Sequence, residues 1–294
     1  MHVRLVQAAN AILGEGPLWE PDEKCLYWID IVRPAVYRYS PEEGQTGMWI
    51  LPEKVGCIAM KEPGHLWVAC RSGLYDLDTR EGNLVRMIAY TQLIDSHRFN
   101  DGAVDPCGRL WIGIMSEGTP GQNGSLCRVE SIDEVRTIEQ DWVCPNGLDW
   151  SPDGSVFYAA DSGLHTIWRF DYDLASGAAV NRRVFAKLPE GQGVPDGLTV
   201  DSEGCVWSAI WDGWRVDRFD PDGRLIQSIA MPVQRPTSVA FGGSVLSTLF
   251  VTSASVNVSN DGLRRGSQAG GVFAVDSQIR GLPSRRAHLR VLSQ

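Results

Sequence analysis

The sequence predicts an all-β chain, a six-bladed propeller of four-stranded antiparallel blades, as a single domain over residues 1–294. Three observations carry this. A turn followed by an apolar-aromatic run recurs six times, as PDEKCLYWID (21–30), EPGHLWVAC (62–70), DPCGRLWIGI (105–114), SPDGSVFYAAD (151–161), DSEGCVWSAI (201–210) and GGSVLSTLFVTS (242–253). The anchors Tyr27, Trp67, Trp111, Phe157, Trp207 and Phe250 are spaced roughly 40–50 residues apart, which suits one blade per period. The 31 glycines and 16 prolines suit a chain dense in turns.

Each repeat contains further strand-like runs. A first run precedes the turn: GPLWE, CIAMK, GAVD, GLDW, GLTV and SVAF. A third follows the aromatic strand: AVYRYS, GLYDLD, SLCRVE, TIWRFD, RVDRFD and GVFAVD. A fourth follows in most repeats, for example RRVFAKL (182–188) and RLIQSIA (224–230). These runs are short, rich in β-branched and aromatic residues, and bounded by Gly, Pro and Asp. Both Val3–Ala8 and His288–Ser293 read as strands, and either end of the chain can supply the strand that closes the ring. The stretch 253–271 reads as a long loop of the sixth blade.

Composition narrows the function. With 43% hydrophobic residues the core can be large, and a net charge of −9 argues against nucleic acid or an anionic membrane as partner. No apolar run approaches the roughly 18 residues that span a bilayer. The first residues, MHVRLVQAAN, lack the shape of a signal peptide. Seven cysteines are scattered without a CxxC pair, as expected for buried reduced thiols in a cytoplasmic protein.

The first strands of a propeller line its central channel and run the same way. Residues just before them therefore ring one mouth. The six matching slots are Glu15, Val55, Asp101, Asn146, Asp196 and Thr237, with Asn100 beside Asp101 and able to point inward in its place. Four of the six are Asp, Glu or Asn followed by glycine, which lets the backbone turn sharply. Asp-Gly and Asn-Gly are also ordinary hairpin signals, and Asp153-Gly154 and Asp222-Gly223 fall where a hairpin needs one. The four slot pairs differ because each stands at the entry of an inner strand. Glu15 and Asp196 brought together would repel each other without a cation.

The converging donors are all oxygen, which suits Ca²⁺, Mg²⁺ or Mn²⁺ best and leaves Fe²⁺ and Zn²⁺ open. None of the five histidines pairs with another at metal-ligand spacing, and surface or packing roles are expected for them. There is no G-x-S-x-G elbow, P-loop or G-x-G-x-x-G.

LGEGPLW (13–19), RFNDGAVDPCGRLWIG (98–113), PNGLDWSPDG (145–154) and PDGLTVDSEGCVW (195–207) together resemble the senescence-marker-protein/gluconolactonase family, which includes regucalcin and bacterial sugar lactonases. The resemblance covers nearly the whole chain. It implies a six-bladed propeller that holds one divalent cation at the channel mouth and hydrolyses lactones of sugar acids. It further implies Glu15, Asn146 and Asp196 as metal ligands and Arg98 and Asn100 as substrate contacts, with Glu117 near another substrate-contacting position. The run Ile112-Gly113-Ile114-Met115-Ser116-Glu117 departs from the family's common G-T-M, which leaves the sugar open. Asp196 is the candidate general base, with hydroxide on the cation as the alternative. The expected partner is a small sugar lactone. Another metal-dependent ester or phosphotriester hydrolase, or a non-enzymatic calcium-binding propeller, are the competing readings.

Overall fold

A computed structural model describes residues 1–44, 46–89, 93, 96–118, 124–131 and 134–289. Its strands form six separate four-stranded sheets, each antiparallel. The inner strands, in chain order, are Gly14–Glu20, Val55–Glu62, His97–Val104, Pro145–Trp150, Val194–Val200 and Pro236–Gly242. The second strands are Cys25–Asp30, His65–Cys70, Leu110–Ser116, Val156–Asp161, Val206–Trp211 and Thr248–Ser253. All six aromatic anchors lie on these second strands, and each is at most 4% exposed.

The second strands read as near-continuous apolar runs because both their faces are covered. In Val206–Trp211, Trp207 and Ala209 pack towards Val239, Phe241 and Phe273 of the sixth blade. Val206 and Ile210 turn the other way, onto Tyr158, Ala160 and Ile167 of the fourth. Aromatic rings fill the wedge between the third and fourth blades. Trp111 stands edge-on to Trp150 at 6.1 Å, and Phe157 stacks on Trp150 at 4.8 Å. Such contacts add to the area each ring buries.

The N-terminus closes the ring. Val3–Gln7 pairs antiparallel with Val272–Asp276, Val3 opposite Val275, as the outermost strand of the sixth blade. His288 is not in a strand, and residues 290–293 lie outside those described. The stretch 253–271 contains one short helix, Asn260–Arg265, capped at Ser259. No helix among the described residues is long and apolar enough to cross a membrane. All seven cysteines are free thiols, five of them buried.

The C-terminal segment instead crosses the lower end of the channel and is held by each blade in turn. Leu246 O accepts from Gly281 N, Ser202 N donates to Arg280 O, and Asp149 and Val104 O accept from Arg285. Met60 O accepts from Ala287 N, and Arg286 reaches Glu20 and Asp22. Leu282, Pro283, Ser284 and Arg285 thereby line the lower part of a channel cavity of about 140 Å³ whose walls come from all six inner strands.

Candidate active site

At the upper mouth the slot residues lie within the inner strands rather than before them. Each inner strand carries one extra residue there relative to its second strand. The register slips between Glu15 and Leu18, Val55 and Cys57, Phe99 and Gly102, Asn146 and Leu148, Pro195 and Leu198, and Pro236 and Val239. These are six β-bulges at one level, and a bulge re-aims the side chain beside it. Glycine is required where neighbouring bulges touch. Gly147 has φ +32°, and a Cβ there would lie 2.5 Å from the Asp196 carbonyl. A Cβ on Gly197 would lie 2.0 Å from Ser238 Oγ.

Glu15, Arg98, Asn100, Asp101, Asn146 and Asp196 are all buried polar residues of this level. Hydrogen bonds join several of them. Arg98 Nη1 donates to Asn100 Oδ1 at 2.7 Å, and Asn100 Nδ2 donates to Asn146 Oδ1 at 2.7 Å. Asn146 Nδ2 donates to Ser162 Oγ at 2.8 Å, and Ser162 Oγ donates to Pro195 O at 2.7 Å. Asn100, not Asp101, therefore joins Asn146. Asp101 braces the backbone, accepting from Gly102 N at 2.7 Å and Gly147 N at 2.8 Å. The remaining two slots carry no charge. Val55 is core, and Thr237 donates to Gly14 O beside Glu15.

The mouth is electrostatically unbalanced. Burial, then the charges of Asp196 and Asp101, hold the Glu15 carboxyl well above its ordinary range. Burial and Asp101 do the same to Asp196. Burial raises Asp101 to about 6, against two backbone N–H donors that pull it down. Arg98 offsets part of this charge, and its own buried guanidinium is itself shifted down by desolvation. Buried carboxylates short of a counter-charge, among amide oxygens and with no nitrogen or sulfur donor in the set, fit a hard divalent cation.

Glu117 lies against Arg98, with Oε1 3.2 Å from Arg98 Nε and 2.6 Å from Lys54 Nζ. Hydrogen bonding and charge from Lys54, then the charge of Arg98, outweigh its burial and keep this carboxyl below its ordinary range. Lys54 escaped the sequence reading because it precedes the uncharged slot Val55. Two further residues escaped it as well. Asp30, at the end of its second strand, accepts from Ile12 N and Leu13 N, which lead into Glu15, and from Val32 N and Arg33 N. Asp161 matches it, accepting from Val143 N and Cys144 N, which lead into Asn146, and from Gly163 N. The repeats that end in Ile29-Asp30 and Ala160-Asp161 held that signal.

Among the described residues, one trio of acidic or thiol donors lies within 4.8 Å: Asp201, Glu203 and Cys205, at the lower face. Arg218 already occupies it, donating to Asp201 at 2.7 Å and Glu203 at 2.6 Å, while Asp201 also accepts from Trp207 Nε1. It is an ion-paired turn.

Six four-stranded blades with buried acidic and amide side chains at one channel mouth define a six-bladed β-propeller with a polar site at the end of its channel. The chain belongs to the SMP-30/gluconolactonase/LRE-like family, whose model matches residues 13–255. It is 38% identical to the 6-deoxy-6-sulfogluconolactonase of Pseudomonas putida, over 95% of this chain and 96% of that one. It is 36% identical to a pentonolactonase of Haloferax volcanii, over 99% and 100%. Its fold matches the crystal structure of a calcium-binding protein, regucalcin, from Agrobacterium tumefaciens, with TM-score 0.93, 28% identity and 98% of each chain covered.

Proposed function

We propose that this chain hydrolyses a sugar-acid lactone to its open-chain aldonic acid with the help of one divalent cation. The observation that carries the reading is the set of bulge residues Glu15, Asn146 and Asp196 on three inner strands, two of them buried carboxylates that raise the local demand for positive charge. Relatives named as lactonases of a sulfonated hexonolactone and of pentonolactones support the substrate class.

Glu15, Asn146 and Asp196 would hold the cation. When bound, it polarises the lactone carbonyl and offsets the charge that gathers on its oxygen. Arg98, fixed on one side by Glu117 and on the other by Asn100, presents guanidinium N–H groups to the substrate's oxygens. Asp196 takes the proton of the attacking water. The new bond joins the water oxygen to the carbonyl carbon, the ring C–O bond breaks, and the proton passes to the released alkoxide as a hydroxyl. Burial and the Asp101 charge make Asp196 a stronger proton acceptor, against the lowering that a neighbouring cation brings.

The test is proton release on pentono-, hexono- and 6-sulfonated hexonolactones, with Ca²⁺, Mn²⁺, Mg²⁺, Zn²⁺ or Fe²⁺ supplied in turn. Aryl esters and phosphotriesters serve as the competing substrates. In Asp196→Asn at saturating metal, kcat should fall on the order of 10²–10⁴-fold. Recovery to near the wild-type rate at full occupancy would remove the base role from Asp196. A protein that binds Ca²⁺ but turns over none of these substrates would instead be a binding propeller, the reading that the calcium-binding Agrobacterium protein favours.

A further inference from the structure

We propose that Ser162 is a positioning residue that locks the Asn146 side-chain amide with its oxygen turned to the mouth; this rests on the lactonase reading for its purpose. A carboxamide can present either end, and its neighbours decide which. Asn146 Nδ2 donates to Ser162 Oγ, while Asn146 Oδ1 accepts from Asn100 Nδ2. The single proton of Ser162 goes to Pro195 O, so the hydroxyl can only accept from Asn146. With the amide reversed, its nitrogen would face the Asn100 nitrogen, donor against donor. Its oxygen would face a hydroxyl whose proton is already committed. The amide would lose its bonds to Ser162 and Asn100 at once, leaving only the Cys144 thiol, 3.6 Å from Asn146 Nδ2, as a weak partner.

The donors all run one way, from Arg98 through Asn100, Asn146 and Ser162 to the carbonyl just before Asp196. That line crosses the third, fourth and fifth blades and passes between two of the proposed ligands. Ser162 is itself held in place. Its N–H donates to Cys144 O, and the buried Asp161 before it ties Val143, Cys144 and Gly163 to the same corner. Partners behind a ligand set its orientation and typically matter for metal affinity by about 10–100-fold.

Three variants of the full chain test this: Ser162→Ala, Ser162→Thr, and Ser151→Ala as a control. Ser151 makes the same number of hydroxyl bonds on the same blade, to Asp153 and Val156, but at the opposite end of the second strand. The first readout is hydrogen exchange of the Asn146 side-chain NH₂ by ¹⁵N NMR in metal-free protein. The second is the calorimetric affinity for Ca²⁺ and for Mn²⁺. Ser162→Ala should release the Asn146 amide to fast exchange and weaken both ions by about 10–100-fold. Ser162→Thr, which keeps the hydroxyl, should stay close to wild type. Ser151→Ala should lower the melting temperature without either effect. Wild-type exchange and affinity in Ser162→Ala, or equal losses in Ser151→Ala, would overturn the proposal. The lactonase reading fails separately, if the wild type takes up none of the five divalent cations and turns over no lactone, and the exchange comparison still decides the role of Ser162.

Discussion

In metal-free protein, Asp101 should make stability fall as pH rises, and Asp101→Asn should remove its share of that slope. Folded Asp101 gives up its proton near pH 6, whereas in the unfolded chain it does so near its ordinary value of 3.8. Between these values the folded state holds more protons than the unfolded one. Its contribution is therefore full below about pH 4 and is lost as pH passes 6. A displacement of about two pH units at roughly 1.4 kcal/mol each is on the order of 3 kcal/mol. Glu15 and Asp196 are raised too, chiefly by burial, so they act in the same direction, and removing the Asp101 charge relieves only part of each shift. Asparagine has one oxygen for the two donors Gly102 N and Gly147 N, so one of them loses its acceptor to an NH₂, which costs about 1–3 kcal/mol and, being a feature of an uncharged side chain, adds no slope of its own. Urea unfolding of chelator-treated wild type and variant from pH 4.5 to 7.5 measures the difference directly. A wild-type-minus-variant stability that stays constant across that range would refute the reasoning. Added divalent cation should restore most of the loss at pH 7.5 and little at pH 4.5, where the carboxyls are protonated.

Two other substitutions give separate tests. Phe157→Ala removes a fully buried ring that lies 5.1 Å from Trp111 and 4.8 Å from Trp150, and should cost about 3–5 kcal/mol in urea unfolding; a loss below about 1 kcal/mol would mean the interblade wedge relaxes freely. If Arg98 holds bound and activated substrate equally, Arg98→Ala should raise KM for the best lactone on the order of ten-fold with a smaller change in kcat; unchanged steady-state kinetics would return Arg98 to a structural partner of Glu117.

The ring of blades was legible because each second strand buries both faces, so every repeat needs a large aromatic or aliphatic anchor at the same place. The oxygen-rich slots were legible for a related reason: Glu15, Asp101, Asn146 and Asp196 each precede glycine at matching points of the period. Their bulges were not. An Asp-Gly pair is compatible with a turn or with an extra residue inside a strand, and only the neighbouring strand's register distinguishes them. Lys54 reaches Glu117 on the next blade, and Ser162 bonds Asn146, sixteen residues away, and Pro195 of the next blade, so no local pattern marks either. The closing strand was ambiguous because both ends of the chain read as strands. What decided it is the free edge left by Val272–Asp276, which Val3–Gln7 fills while the other end is held under the channel.

That closure bears on how the chain comes to be folded at all. Blades one to five are each built from contiguous sequence and can form as they leave the ribosome. The sixth cannot, because Val3 must wait for Val275. Until then Val3–Gln7 has no partner strand. Were the chain between them unfolded, closing so long a loop would cost about 3–4 kcal/mol more than a blade hairpin, and blades that form first lower that cost by bringing the two strands together. This pairing joins the most distant strands in the sequence among the described residues, which makes it the one most exposed to competition from other unpaired strands.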